Sequence, residues 1–252
     1  MKYIASCSGG KDSIATIILA HENKEPLDEI VFAEVMFDEE TSGELPEHID
    51  FIKNRAFPLF ERWGYKTTIL HHDRTYMDYF NQVRKRGKNI GKKVGFPMAD
   101  KCNARACKTK PIEKYIKSLG SDYVEYVGIG LEEKERLHRL HLHSNKISLL
   151  EKNNHTTIDA KKLSMEYDLL SPYYDFSKRG GCWFCPNATD CQLRNLRNNH
   201  ADLWDRLLRL ELEPNLIGEI WNTRGNVSLF DKAEQFRLED AQMTIFDFLK
   251  TE

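Results

Sequence analysis

The chain has 252 residues, 40% of them hydrophobic and 30% charged, and 37 basic against 39 acidic side chains leave a net charge of −2. No apolar run approaches the roughly 20 residues of a bilayer-spanning helix, which excludes a helical membrane protein, and the near-neutral charge argues neither for nor against a polyanionic partner. Length points to one large domain or two small ones. Ile4-Ala5-Ser6-Cys7 mimics a lipoprotein cleavage box, but only six residues precede Cys7, too few for a signal peptide. A cytoplasmic protein without a membrane partner is therefore expected.

In chain order, Lys2–Ser6 reads as a short strand running into a double-glycine turn. Ile14–His21 continues as a helix with Ile14, Ile17, Ile18 and Ala20 as its apolar members. Ile30–Phe37 (IVFAEVMF) is a continuous apolar run of the kind buried on both faces in a parallel sheet. A helix from Pro46 to Trp63, a third strand at Tyr65–Leu70, a helix over Thr109–Ser118 entered through Pro111, and a fourth strand at Tyr123–Ile129 follow. Alternating strands and helices predict an α/β fold, a Rossmann-like doubly wound parallel sheet. The histidines of HRLHLHS (His138, His141, His143) suit an edge strand or loop better than a metal site. Beyond Phe176 the text turns helical, so the expected division is an α/β domain over 1–175 and a smaller, Cys-containing helical region over 176–252.

Charge is uneven along the chain. Between Arg84 and Lys110 lie ten basic residues (Arg84, Lys85, Arg86, Lys88, Lys92, Lys93, Lys101, Arg105, Lys108 and Lys110), with Asp100 the only acid. Such a stretch is ordinarily a solvated, mobile loop; the functional alternative is a lid over phosphates or a nucleic-acid backbone.

The glycine turn carries the chemistry. Gly9 and Gly10 permit positive φ and close backbone approach, so successive N–H groups can face an anion, and the following helix adds its positive N-terminal dipole. Ser8 and Ser13 supply hydroxyls, Lys11 a compact positive charge, and Asp12 a carboxylate for a metal or for orienting the loop. The segment is neither a Walker A loop nor the dinucleotide fingerprint. Ser8-Gly9-Gly10-Lys11-Asp12-Ser13 resembles the SGGxDS signature of the PP-loop ATP pyrophosphatases, which cleave ATP between the α and β phosphates. Phe37-Asp38-Glu39-Glu40-Thr41-Ser42-Gly43 with Pro46-Glu47 resembles the D-T-G…P-E-T region of phosphoadenosine-phosphosulfate (PAPS) reductases. Gly128-Ile129-Gly130-Leu131-Glu132-Glu133-Lys134-Glu135-Arg136 resembles their G-I-x-x-D-E-x-x-R, although alone it reads as an exposed helix start with an i,i+4 ion pair. Leu170-Ser171-Pro172-Tyr173 sits where a P-L tract usually closes the nucleotide domain, so the resemblance covers most of residues 2–195.

That resemblance implies an adenine nucleotide held by Ser8, Gly9, Gly10, Lys11, Asp12, Ser13, Gly128 and Arg136. Lys11, Asp12 and Asp38 would be the catalytic residues, and Asp12 or Asp38 the Mg²⁺ ligand. PAPS reductases also carry a C-terminal Glu-Cys-Gly-Leu-His segment with the nucleophilic cysteine; no cysteine follows Cys191 here. The expectation therefore tilts from sulfonucleotide reduction toward ATP.

Of six cysteines, at 7, 102, 107, 182, 185 and 191, the last three form C-x₂-C-x₅-C after a double glycine. In a cytosolic chain metal binding is a better default than disulfides, and two cysteines at this spacing around a turn can converge on one metal. Cys107, in a stretch similar to the C…K-x-x-P of PAPS reductase-like proteins, joins Cys182, Cys185 and Cys191 as the expected fourth ligand, with Cys102 the other candidate. The spacing is similar to that of the ATP pyrophosphatases of DNA phosphorothioation, which implies a [4Fe–4S] cluster; structural Zn²⁺ and buried free thiols are the alternatives. Cys7 reads as a small core residue. The function expected is ATP cleavage at the α–β bond to adenylate an acceptor, in sulfur transfer. A sulfonucleotide reductase and a nucleotide- or nucleic-acid-binding subunit of a modification or defence system are the alternatives. Partners would be the adenine nucleotide, with a nucleic acid, a sulfur-carrier protein or a second copy of the chain left open.

Overall fold

The computed structural model describes residues 1–98, 102, 104–222 and 225–249, the stretch 243–249 as backbone only. Strand β1 (Lys2–Ser6) is followed by α1 (Lys11–Glu22), β2 (Glu29–Glu34), α2 (Pro46–Asp50), a π-helical turn (Phe51–Ala56), α3 (Phe57–Arg62) and β3 (Lys66–His71). Next come α4 (Tyr76–Phe80), β4 (Lys93–Gly95), α5 (Arg105–Ser118), β5 (Tyr123–Tyr126), α6 (Lys134–Leu140), β6 (Lys146–Ile147), α7 (Leu149–Lys152) and α8 (Thr157–Glu166). A 3-10 turn (Pro172–Asp175) precedes α9 (Asp190–Asn199), α10 (Ala201–Glu211), β7 (Leu216–Gly218) and α11 (Leu229–Leu249).

These elements fall into two compact units, Met1–Asp73 with Ala106–Gly180, and Arg74–Arg105 with Gly181–Glu252. The units do not follow a single division near residue 175: the chain enters the second at Arg74, returns at Ala106 and leaves again at Gly181.

The first unit is an α/β fold around a five-stranded, all-parallel sheet in the order β3-β2-β1-β5-β6. Every residue of β2 is buried, which is why its sequence is a continuous apolar run. The chain winds outward from β1 through β2 to β3, then crosses back to β5 and β6 on the other side. That reversal opens a crevice at the carboxyl ends of β1 and β5, where open α/β sheets bind ligands. Ile14, Ile17 and Ile18 of α1 are fully buried in the same core cluster as Ile30, Phe32 and Phe60. At the opposite edge Glu29 is buried completely, and Lys2 (2.5 Å) and Lys66 (3.0 Å) pair with it. Burial pushes its carboxyl up, but hydrogen bonds from Lys2, Thr68, Tyr115 and Lys66 outweigh this and hold it at about 2.

Two local readings change. The helix expected over Pro46–Trp63 is continuous but contains the wide turn Phe51–Ala56. Pro58 has no N–H to offer the residue-54 carbonyl, and the register widens just before it. The histidine segment is not an edge strand: His138 lies in α6, whose Leu137 and Leu140 are buried, and His141 is its C-cap. Helix spacing of those two leucines outweighs the apparent alternation of histidines.

The second unit joins β4 and β7 in a two-stranded parallel sheet, beside α4, α9, α10 and α11. Leu203, Trp204, Leu207 and Leu210 form the buried stripe of α10. Glu211 accepts backbone N–H bonds from Trp221 (2.6 Å) and Leu229 (2.9 Å), tying α10 to the start of α11. Among the described residues no helix is long and apolar enough to cross a membrane.

Candidate phosphate site

Strand β1 ends at the sheet's switch point, and the next four residues make the turn into α1. Gly9 has φ +70°, and a Cβ there would lie 2.6 Å from Ile52 Cδ1 and 2.7 Å from His48 Cε1. Only glycine fits this position. Ser13 stitches the turn: its Oγ accepts the Ser8 N–H (3.1 Å) and donates to the Gly10 carbonyl (2.9 Å). Gly10 is the N-cap of α1, and no side chain caps that helix end. The backbone of residues 8–13 thus presents a helix N-terminus and its amides at the carboxyl edge of the sheet, the setting that favours an anion.

The loop after β5 closes one side. A Cβ on Gly128 would meet the Asp12 carbonyl carbon at 2.6 Å and the Ser13 nitrogen at 2.8 Å, so this glycine permits the contact between that loop and α1. Lys11 Nζ lies 2.6 Å from Asp12 Oδ1, with both side chains largely shielded. Burial raises the Asp12 carboxyl above its ordinary value; Lys11 opposes this, Glu133 adds to it and Arg136 opposes it. The charges of Lys11, Asp12, Glu133 and Arg136 therefore share one neighbourhood. Arg136 pairs with Glu133, three residues away, rather than in the expected i,i+4 pair with Glu132. Glu132 instead accepts from the Thr157 N–H (2.9 Å) and hydroxyl (2.6 Å). Its Oε1 is thereby engaged by the start of α8.

Asp38 serves its own turn, its Oδ1 accepting the N–H groups of Glu40 (3.0 Å) and Thr41 (2.7 Å). It lies beyond the carboxyl end of β2, on the same edge of the sheet. Lys108 on α5 acts electrostatically on both Cys7 and His48, which places a further cation beside the turn. The Cys7 thiol is buried and pushed up by desolvation, against hydrogen bonds from Gly9 and Ser13, so it is held neutral.

Neither His48 nor Tyr174 was expected at the site, and Ser171 and Tyr173 were expected only within the tract that closes the nucleotide domain. His48 is 3% exposed and spans the turn: Nε2 lies 3.1 Å from the Ser8 carbonyl and Nδ1 2.7 Å from Ser171 Oγ. A carbonyl only accepts, so Nε2 carries the proton and Nδ1 accepts from the Ser171 hydroxyl. Tyr174 Oη accepts the Lys11 backbone N–H at 2.9 Å. The Tyr173 and Tyr174 rings pack against each other at 4.3 Å, and their hydroxyls would lie 3.3 and 3.4 Å from a Gly10 Cβ. The signal for His48 was a polar residue on the face that buries Phe51 and Ile52; nothing local marked Tyr174, which arrives from more than 160 residues away.

Burial holds the His48 imidazole below its ordinary 6.5. The unfolded chain takes up the proton first, so this contribution is complete above about pH 6.5 and is lost as pH falls below it. Thermal denaturation from about pH 8 to pH 5 should show Tm falling below about 6.5, and His48→Gln should flatten that fall. Identical profiles would remove His48 as its cause.

The cysteines divide between the units. Cys107 is fully buried in α5 of the first unit, whereas Cys102, Cys182, Cys185 and Cys191 belong to the second. Cys182 and Cys185 flank a tight turn closed by the Cys185 N–H to the Cys182 carbonyl (3.0 Å), and Cys191 is exposed on the first turn of α9. Phe184 within that turn stacks on Tyr76 at 4.1 Å. Burial, then the charges of Cys102, Cys182 and Cys185, push the Tyr76 hydroxyl up. Cys102 thus shares the surroundings of the pair. A thiol donor set suits iron–sulfur or zinc chemistry, yet among the described residues no three His, Cys, Asp or Glu side chains converge as a ligand set.

No known protein family pattern and no characterised protein matches the chain. Among solved structures it is similar to a phosphoadenylyl-sulfate (PAPS) reductase from Candida auris in complex with phosphate, at 13% identity and TM-score 0.46 over 73% of this chain and 82% of that one. It is also similar to the U34-tRNA thiolase NcsA from Methanococcus maripaludis with its [4Fe-4S] cluster, at 15% identity and TM-score 0.43 over 83% of this chain and 70% of that one.

Proposed function

We propose that the protein is an adenylating enzyme of the PP-loop ATP pyrophosphatase type, serving sulfur transfer. The observation that carries this reading is the Gly9 turn, whose left-handed backbone and close packing on His48 and Ile52 lead the chain from β1 straight into the uncapped N-terminus of α1, with Lys11 and Asp12 in its first turn. In the reaction an acceptor nucleophile attacks the α-phosphorus of ATP. The bond from that phosphorus to the bridging α–β oxygen breaks, and pyrophosphate leaves with the bond's electron pair. Charge accumulating on pyrophosphate is met by Lys11 and the loop amides, with Lys108 adding positive potential. The Lys11 N–H is released for this by exchange from the Tyr174 hydroxyl to a phosphate oxygen. Asp12 and Glu133, two carboxylates in one neighbourhood, offer the hard oxygen donors that Mg²⁺ takes, and the ion would supply further charge neutralisation on the phosphates.

The test is product analysis with ATP labelled on the α or γ phosphate, Mg²⁺ and purified protein. Pyrophosphate and an adenylate or AMP are expected. ADP with orthophosphate, or sulfite released from a sulfonucleotide with a thiol while ATP is left intact, overturns the reading.

A further inference from the structure

The stretch that the catalytic reading leaves unused is the basic one. From Tyr79 to residue 99 the chain has no carboxylate, and it carries Arg84, Lys85, Arg86, Lys88, Lys92 and Lys93. It is not a loose loop. Residues 82–94 fold into a hairpin with an antiparallel bridge between Val83 and Lys93, the Arg84 N–H on the Lys92 carbonyl (2.9 Å) and the Val94 N–H on the Gln82 carbonyl (3.0 Å). Gly87 and Gly91, at φ +85° and +81°, turn its tip. One arm continues into β4, which pairs with β7, and Phe96 beyond it packs edge-on against Phe80 at 5.2 Å. Asp100 and Lys101 lie outside the described residues, and Lys108 and Lys110 belong to α5.

The cations at the hairpin's base are answered within the unit, Lys93 by Glu213 at 2.8 Å and Lys92 by Glu219 at 4.0 Å. Those toward the tip are not: Arg84, Lys85, Arg86 and Lys88 are exposed and have no ion-pair partner among the described residues. Arg84, Lys85 and Arg86 line an open groove of about 520 Å³ together with Arg74, Gln82 and Val83. Its wall is fixed, because the Arg74 guanidinium lies over the Tyr79 ring at 4.0 Å and donates to the Asp78 carbonyl and Gln82 Oε1. Val83 and Ile90, 47% and 66% exposed, add apolar surface beside the charges.

We propose that this hairpin binds the phosphate backbone of a nucleic acid. Like charges held side by side on an ordered hairpin repel one another, and a polyanion supplies the missing countercharge while releasing its own condensed counterions. The groove is open rather than enclosed, which fits a polymer lying across it better than a small anion. The exposed apolar side chains suit sugar and base faces, and no carboxylate of residues 79–99 themselves opposes a phosphate chain. The proposal is independent of the chemistry at the Gly9 turn.

The test is anisotropy of fluorescent single-stranded RNA, single-stranded DNA and duplex DNA, each about 30 nucleotides, titrated with the full chain across a salt series. At least one should bind with log affinity falling linearly against log salt. The triple variant Arg84→Ala, Lys85→Ala, Arg86→Ala should weaken it at least tenfold near 0.1 M salt and reduce the slope by about three, one for each phosphate that is no longer neutralised. Its Tm should stay at the parental value, since all three side chains are exposed. The three probes separate an RNA from a DNA backbone. No binding by any probe at about 50 mM salt, an unchanged slope in the triple variant, or equal binding of polyglutamate would overturn the proposal.

Discussion

Lys11→Ala is expected to slow pyrophosphate release from ATP by about a hundredfold to a thousandfold, a loss of roughly 2.7–4 kcal/mol of transition-state stabilisation. The argument rests on where the charge stands. Lys11 is the first residue of α1, its backbone N–H is at the helix mouth and its ammonium is 2.6 Å from Asp12 in a partly shielded position. Charge grows on the leaving pyrophosphate as the α–β bond breaks, and a fixed ammonium there acts more strongly than it would in water. Removing it also strands the Asp12 carboxylate, which burial and Glu133 already disfavour. The double variant Lys11→Ala, Asp12→Asn relieves that stranding, so it should regain folding stability without regaining rate. Lys11→Arg should recover little, because a planar guanidinium does not replace a compact point charge. Single-turnover measurement at saturating ATP is the deciding readout; a rate for Lys11→Ala within a few-fold of the parent would remove Lys11 from the reaction.

Gly9→Ala is the second large effect, and it acts on fold and function together. The added methyl must occupy a backbone conformation disfavoured for side chains, and it must sit 2.6–2.7 Å from Ile52 and His48. Together these should cost about 1–3 kcal/mol or more of stability and abolish detectable nucleotide binding. Gly10→Ala is the control. Gly10 has φ −79°, and its Cβ would meet only hydroxyls, at 3.3–3.4 Å. Its Tm should therefore stay near the parental value while that of Gly9→Ala drops by several degrees. Equal Tm for the two variants would show that the Gly9 turn does not have the geometry described.

Periodicity and composition made much of this molecule legible. The buried run of β2, the strand–turn–helix at Ser8–Ser13 and the parallel character of the sheet, though not its strand order, followed from patterns that local sequence carries. The site was legible where its residues are contiguous. The Gly128 contact with Asp12 fits the resemblance around that glycine, but the bonding of Glu132 and the pairing of Arg136 with Glu133 in its stead depend on where Thr157 arrives. His48, Ser171, Tyr173 and Tyr174 could not be assigned from spacing, because their roles exist only once the chain has closed on itself. The basic stretch was read as mobile because charge density signals solvation. What it lacked was the pairing of β4 with β7, which joins residues more than 120 positions apart in sequence.

The Tyr174 hydroxyl has a consequence for selectivity. With the Lys11 N–H already bonded at 2.9 Å, an arriving oxyanion gains only the difference between a charged and a neutral acceptor, not a whole hydrogen bond. A lone orthophosphate has little beyond that difference to offer. A nucleoside triphosphate brings further oxygens and a base whose contacts add to it. On the proposed function the tyrosine would set a threshold of ligand size, disfavouring free phosphate at the turn relative to a molecule with enough further contacts to displace the hydroxyl.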